Sequence, residues 1–166
     1  NMGIGMTVVV AAEEADRAMD ALRAAHADLH APMDELGGKS LGETLLTPTR
    51  IYVKSILALA EAVTVKSVSH VTGGGFYENI PRSLPKGMTA KLRRADVPVL
   101  PIFDLIARRG DIPEREMFNT FNMGIGMTVV VAAEEADRAM DALRAAGEAP
   151  VRLGEIVPGE EGVILW

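Results

Sequence analysis

The stretch Asn122–Ala146, NMGIGMTVVVAAEEADRAMDALRAA, decides the fold class, and residues Asn1–Ala25 repeat it letter for letter. In the first copy, Met2–Val10 is rich in Val, Ile and Met and short enough for a strand. Gly3 and Gly5 interrupt it, which points to a bulge or to a neighbouring backbone at close range. Ala11–Ala25 then places Ala15, Ala18, Met19, Leu22 and Ala25 at helical spacing. Glu13, Glu14 and Asp16 fall in the first turns and Arg23 in the last, the arrangement that a helix dipole favours. Each copy is therefore expected to be a strand followed by an amphipathic helix. Such a unit cannot bury its own apolar face and must dock on the rest of the chain.

The copies part at His26 against Gly147, and about 96 residues of unrelated sequence lie between them. Solenoids drift in sequence and stack three or more units, so this is not one. Identity without drift is better explained by deliberate or laboratory recombination than by natural duplication. Two identical units compete for one docking slot, so a homo-oligomer, and specifically a strand-swapped dimer, is expected.

Working outward, the 166 residues fit a single domain over 1–166 with a real core. Aromatics make up only 4%, so the core is expected to rest on Val, Ile, Leu, Ala and Met, with the nine methionines as flexible filler. A formal charge of −6 argues against a nucleic-acid surface. No window is long and apolar enough for a membrane span, and no signal peptide is visible, so a cytoplasmic location is expected. The absence of cysteine rules out disulfides, thiolate zinc sites and a cysteine nucleophile.

Residues 26–47 read as a connection with turn chemistry at Gly37-Gly38 and Gly42. Thr47-Pro48 looks like an N-cap with proline at the first helical position, opening a helix to about Val63. Val63–Thr72 reads as a strand broken by Gly73-Gly74-Gly75, and Phe76–Leu84 as a short helix limited by Pro81 and Pro85. Met88–Arg94 is a strand candidate. Pro101–Arg109 is a helix stopping at Gly110, and Pro113–Phe121 a second short one. Late strands are expected near 149–157 and 162–166. The alternation predicts a mixed α/β fold (α+β in its layering): one mixed sheet with helices packed on a face.

Thr72, Gly73, Gly74 and Gly75 ahead of a short helix form the best candidate site. Glycines after a strand let N–H groups converge on an anion, and a helix N-terminus adds positive potential. Asn79 and Arg82 are candidate side-chain donors. The competing reading is a tight turn packed against a neighbour. The spacing is neither a P-loop nor a dinucleotide fingerprint. His70 is either a base or anion donor or, more often in such places, a structural histidine. Arg50 either reaches a phosphate or is ion-paired. His26 and His30 lie in a polar connection, and three scattered histidines do not make a metal site. Arg93-Arg94 and Arg108-Arg109 read as solvated faces. Glu134-Glu135, like Glu13-Glu14, read as helix-start acids. No catalytic residue and no metal ligand is assigned.

Three segments, LLTPTRIYVKS (45–55), HVTGGGFYENIPRSLP (70–85) and MFNTFNMGIGM (117–127), closely resemble in order and spacing the C-terminal domain of the phosphoribosylformylglycinamidine cyclo-ligases, or AIR synthetases. The resemblance runs from about Asp28 to Trp166. It implies a purine-biosynthesis ligase that uses ATP and magnesium to close a ring in formylglycinamidine ribonucleotide, giving aminoimidazole ribonucleotide. In that family an N-terminal domain carries much of the ATP site and the C-terminal domain closes the cleft. Two departures stand out. The N-terminal domain is expected to be missing. The family's Ser/Gly/His-rich loop, expected before Asp28, is replaced by the repeated strand–helix unit. The chain is therefore expected to be a rearranged lobe, inactive alone and holding no cofactor of its own. The alternative is a residual phosphate- or nucleotide-binding lobe.

Overall fold

The computed structural model describes residues 28–166. The chain groups into two compact units, residues 1–49 and 50–166. The first repeat copy, the expectations placed on it, and His26 lie outside the described residues.

In the first unit, Asp28 opens a turn: its carboxylate accepts from the N–H groups of His30 and Ala31, which hold it below the usual carboxylate range. Gly37 and Gly38, at φ 67° and 82°, make the expected reversal. Gly42 is no turn residue. It sits inside helix α1 (Leu41–Leu45), where a Cβ would come 2.6 Å from the Leu29 carbonyl oxygen. Ser40 and Glu43 cap this helix reciprocally, the Ser40 hydroxyl accepting from Glu43 N–H and the Glu43 carboxylate from Ser40 N–H. Thr47 does not cap the next helix. Its hydroxyl donates to the Glu43 carbonyl and finishes the preceding turn instead.

In the second unit, helix α2 runs Val53–Ala62, starting later than Thr47-Pro48 suggested. Strand β1 (Ser67–His70) follows, then helix α3 (Gly75–Arg82), strand β2 (Met88–Leu92), helix α4 (Pro101–Gly110) and helix α5 (Glu114–Thr120). Pro101 opens α4 as expected, but the left-handed C-cap is Asp111 at φ 48° rather than Gly110. Aspartate tolerates that conformation better than most side chains. The second repeat copy supplies strand β3 (Met127–Val130) and helix α6 (Ala136–Ala145), and strands β4 (Gly154–Pro158) and β5 (Val163–Leu165) close the chain.

The mixed α/β class stands, with one correction. The single sheet that the alternation suggested is two ladders among the described residues. Antiparallel β1–β3 is one. The other is β4–β2–β5, in which β2 runs antiparallel to β4 and parallel to β5. Helix α3 packs on β1 and on α5. The main core also departs from the aliphatic expectation: Phe76 and Phe118 are fully buried and meet edge to face with ring centroids 5.1 Å apart. Few aromatics in the chain does not mean few in the core, since two suffice when both sit at its centre. Met117 and Met123 fill space beside them.

The second repeat copy docks as a strand–helix unit must. Leu59 and Val63 cover Ala139, with Val129, Ala142 and Leu143 packed alongside. Both of its glycines are sites of close approach. A Cβ on Gly124, at φ 103°, would lie 2.5 Å from the Pro98 carbonyl oxygen, and one on Gly126 would collide with the Tyr52 hydroxyl at 2.1 Å.

Candidate functional site

The Thr72–Gly75 loop joins β1 to α3 and is shaped by its own residues. Gly75 N–H donates to the Thr72 carbonyl at 3.0 Å, closing a turn that carries Gly74 at φ 101° and Gly75 at φ 53°. Gly75 can only be glycine: a Cβ there would stand 2.0 Å from the Phe118 carbonyl oxygen, which is backbone. So the helix enters the core through a contact that any side chain would block. Gly73 differs, with open space around it.

Asn79 is 8% exposed and braces the loop. Its Nδ2 donates to the carbonyls of Gly73 (3.1 Å) and Gly75 (3.0 Å), while Oδ1 accepts from Thr72 N–H and hydroxyl, both at 3.4 Å. An amide nitrogen has two hydrogens, and both are used. Asn79 thus holds the loop rather than offering a free donor. The N–H groups of Gly73 and Gly74 have no acceptor among the described residues. Helix α3 begins at the next residue, adding positive potential.

Arg82 reaches the edge of the loop only through a carboxylate partner. It lies in the last turn of α3, exposed, and pairs with Glu78 at 2.8 Å. Glu78 in turn stands over the loop, since a Cβ on Gly74 would be 2.8 Å from its Oε2. An anion at the loop would therefore meet a carboxylate that the sequence did not single out.

The sequence also missed a second polar cluster. The Glu148 carboxylate receives the buried Ser55 hydroxyl on Oε1 and Arg50 Nε on Oε2 at 2.9 Å, while Arg50 Nη2 donates to the Gly147 carbonyl at 2.8 Å. Arg50 is accordingly ion-paired. Tyr52 borders the cluster, and burial first, then the Glu148 charge, pushes its phenol above the ordinary value, with Arg50 opposing. The Tyr52 and His70 rings meet edge-on at 6.0 Å. One signal could have flagged Glu148: it follows the repeat just where the two copies stop agreeing.

Glu135 keeps its helix-start role, accepting from Thr64 N–H and pairing with Arg138. Arg93 and Arg94 are not simply solvated. They pair with Asp96 and Glu114 at 3.4 and 2.6 Å and lie over the rings of Trp166 and Phe118. An open cleft of about 630 Å³ lies beside Lys91, Arg93, Arg152 and Trp166, and no residue of the glycine loop lines it. Among the described residues, no group of three or more His, Asp or Glu side chains could hold a metal, and no helix is long and apolar enough to cross a membrane.

Comparison with known proteins places this arrangement. The family described as "AIR synthase related protein, C-terminal domain" matches residues 25–166. The phosphoribosylformylglycinamidine cyclo-ligase of Agathobacter rectalis is 52% identical over 129 residues, which is 77% of this chain and 38% of that protein. The enzyme of the same name from Caldanaerobacter subterraneus subsp. tengcongensis is 53% identical over 128 residues, 77% of this chain and 38% of its own length. That from Brevibacillus brevis is 52% identical over 136 residues, 82% and 39% respectively. The chain spans about two-fifths of the length of the curated relatives it matches.

Proposed function

Because the chain belongs to the AIR synthase related C-terminal domain family, we propose that it is the C-terminal lobe of a cytoplasmic, ATP-dependent cyclo-ligase of purine biosynthesis, incomplete as a catalyst. Its own contribution is the Thr72–Gly75 loop, which receives a phosphate of the nucleotide or ribonucleotide. The observation that carries this reading is the pair of N–H groups on Gly73 and Gly74, which have no acceptor among the described residues and stand just ahead of α3 in a loop that Asn79 braces. The described residues offer magnesium no ligand cluster, so no step is assigned to it. ATP supplies activation of the formyl oxygen in the full reaction; this lobe binds and orients.

Isothermal titration of the whole chain with inorganic phosphate and with ATP tests the loop. Millimolar affinity is expected. Gly73→Val, placed in open space, should fold normally and lose binding. Glu78→Gln should strengthen it severalfold by removing a carboxylate from the loop. No heat from either ligand, or a Gly73→Val variant that binds unchanged, would refute the assignment. Turnover of formylglycinamidine ribonucleotide by the purified chain would refute the incompleteness.

A second reading concerns the repeat, whose identity we attribute to laboratory recombination. The contacts that seat β3 and α6 are made by Gly124, Gly126, Val129, Glu135, Ala139 and Leu143, and each has an identical counterpart in residues 3–22. Exchange of copies between chains then produces a strand-swapped oligomer. Light scattering over a hundredfold range of concentration should show mass rising above the monomer; a monomer throughout argues against exchange.

A further inference from the structure

The face of the β4–β2–β5 ladder turned away from the core carries the open cleft of about 630 Å³, and every residue lining it belongs to the second unit. We infer that this cleft binds a purine nucleoside monophosphate, at a site separate from the Thr72–Gly75 loop, none of whose residues line it. Three chemistries meet there, and each answers one part of such a ligand: an exposed indole, a set of cations, and a carboxylate with no ion pair among the described residues.

The sequence of β2 sets the arrangement. Leu92 is buried, so its neighbours Lys91 and Arg93 turn to the opposite face. Beyond the paired Leu92 and Leu165, Trp166 N–H donates to the Leu92 carbonyl, and the Trp166 carbonyl accepts from Arg94 N–H. These bonds bring the indole alongside Arg93. The Lys91 ammonium and the Arg93 guanidinium each stand 5.5 Å from the ring centroid. Trp166 is nonetheless 60% exposed, so cation–π contacts hold the ring without covering it. Position 154 has to be glycine, because a Cβ there would collide with the Lys91 carbonyl oxygen, and the cleft wall is bare backbone at that point.

Lys91, Arg93 and Arg152 share the cleft with Asp96 and Glu155. Asp96 is engaged with Arg93, through Nη1 at 3.4 Å. Arg152 has no hydrogen bond or ion pair among the described residues. Glu155 lies opposite Lys91 in the β2–β4 register, yet the two form no ion pair, because Lys91 turns to the indole. A phosphate dianion takes Arg152 and Arg93 in charge-assisted hydrogen bonds. A flat purine stacks on Trp166. A lone carboxylate repels a simple anion but accepts from the hydroxyls of a ribose, as acidic residues do in nucleotide sites. Inorganic phosphate or an acidic peptide would answer the cations and leave Glu155 opposed. The volume lies within the roughly 300–1,000 Å³ usual for small-molecule sites.

Trp166 is the one tryptophan of the chain, so its fluorescence reads this cleft. Titration of the whole chain with AMP should quench it along a saturable curve with a midpoint of about 1 mM or below. Ribose 5-phosphate should displace AMP without quenching, which separates charge from stacking. R152E removes no contact made among the described residues and should raise the midpoint roughly tenfold or more. AMP should bind severalfold tighter than its 2′,3′-dideoxy analogue, and E155A should erase that difference. Gly73→Val should leave the quench as it is. A linear quench, or a saturable one that R152E does not weaken, overturns the site. So does a preference for the ribose hydroxyls that survives E155A, or a quench that Gly73→Val abolishes. A silent indole in a chain whose loop still binds phosphate would sink the cleft and spare the loop.

Discussion

The glycine loop and the Arg50–Glu148 cluster are both polar knots, yet they are tied in opposite ways. The loop uses partners four to seven residues apart: Asn79 reaches Gly75, Gly73 and Thr72. The cluster uses partners 93 and 97 residues apart, joining the start of α2 to the end of α6. The loop can form as soon as its own segment condenses. The cluster can form only after the second repeat copy has docked. One is local geometry supplied by composition. The other certifies that the tertiary arrangement is right. A difference in tolerance follows: the loop is limited by space and the cluster by partnership.

The largest effect is expected where space is tightest. Gly75→Ala puts a methyl group 2.0 Å from the Phe118 carbonyl oxygen and 2.7 Å from its carbon, at φ 53°. Neither α3 nor α5 can retreat without opening the Phe76–Phe118 contact. Overpacking against backbone and a left-handed alanine together cost about 3–5 kcal/mol. Chemical denaturation followed by circular dichroism should show this loss, or no folded state at all. A loss under about 1 kcal/mol would mean that the helices slide easily and that the loop is not fixed by space.

This contrast also explains what the sequence disclosed. Gly73-Gly74-Gly75 and Pro101 announce themselves, because glycine and proline act through their own backbone. So do the repeat's strand and helix, whose apolar spacing needs no partner to be seen. Asn79 was visible as a polar residue near the glycines. That its amide would be spent inward was not, since this depends on where the helix turns its face. Thr47-Pro48 carried a helix-start signal, yet the Thr47 hydroxyl was claimed by a carbonyl four residues back, and α2 began at Val53. Splitting into two ladders was illegible because strand order is decided by long-range pairing. Glu148 lay deepest: apart from its place just past the end of the repeat, nothing local distinguishes a glutamate that meets Ser55 across 93 residues from one facing water.

The smallest effect is at the border of the cluster and reads partnership rather than space. Tyr52 is raised above the ordinary 10.0 mainly by burial and secondly by Glu148, with Arg50 pulling the other way. A phenol whose folded value exceeds its unfolded value contributes stability that is fully present below about pH 10 and lost as pH rises through the folded value. The unfolded chain sheds its proton first and is favoured in that window. With Y77F removing the other tyrosine, absorbance at 295 nm should titrate above 10 in the native protein and near 10 in denaturant. E148A should bring the native midpoint part of the way down, because the charge leaves while the burial stays. A full return to 10 would mean that the cluster, and not the packing of Tyr52 against Gly126, keeps water from the ring. No movement would mean that the Glu148 charge is already neutralised by Arg50, so that the knot acts through its hydrogen bonds alone.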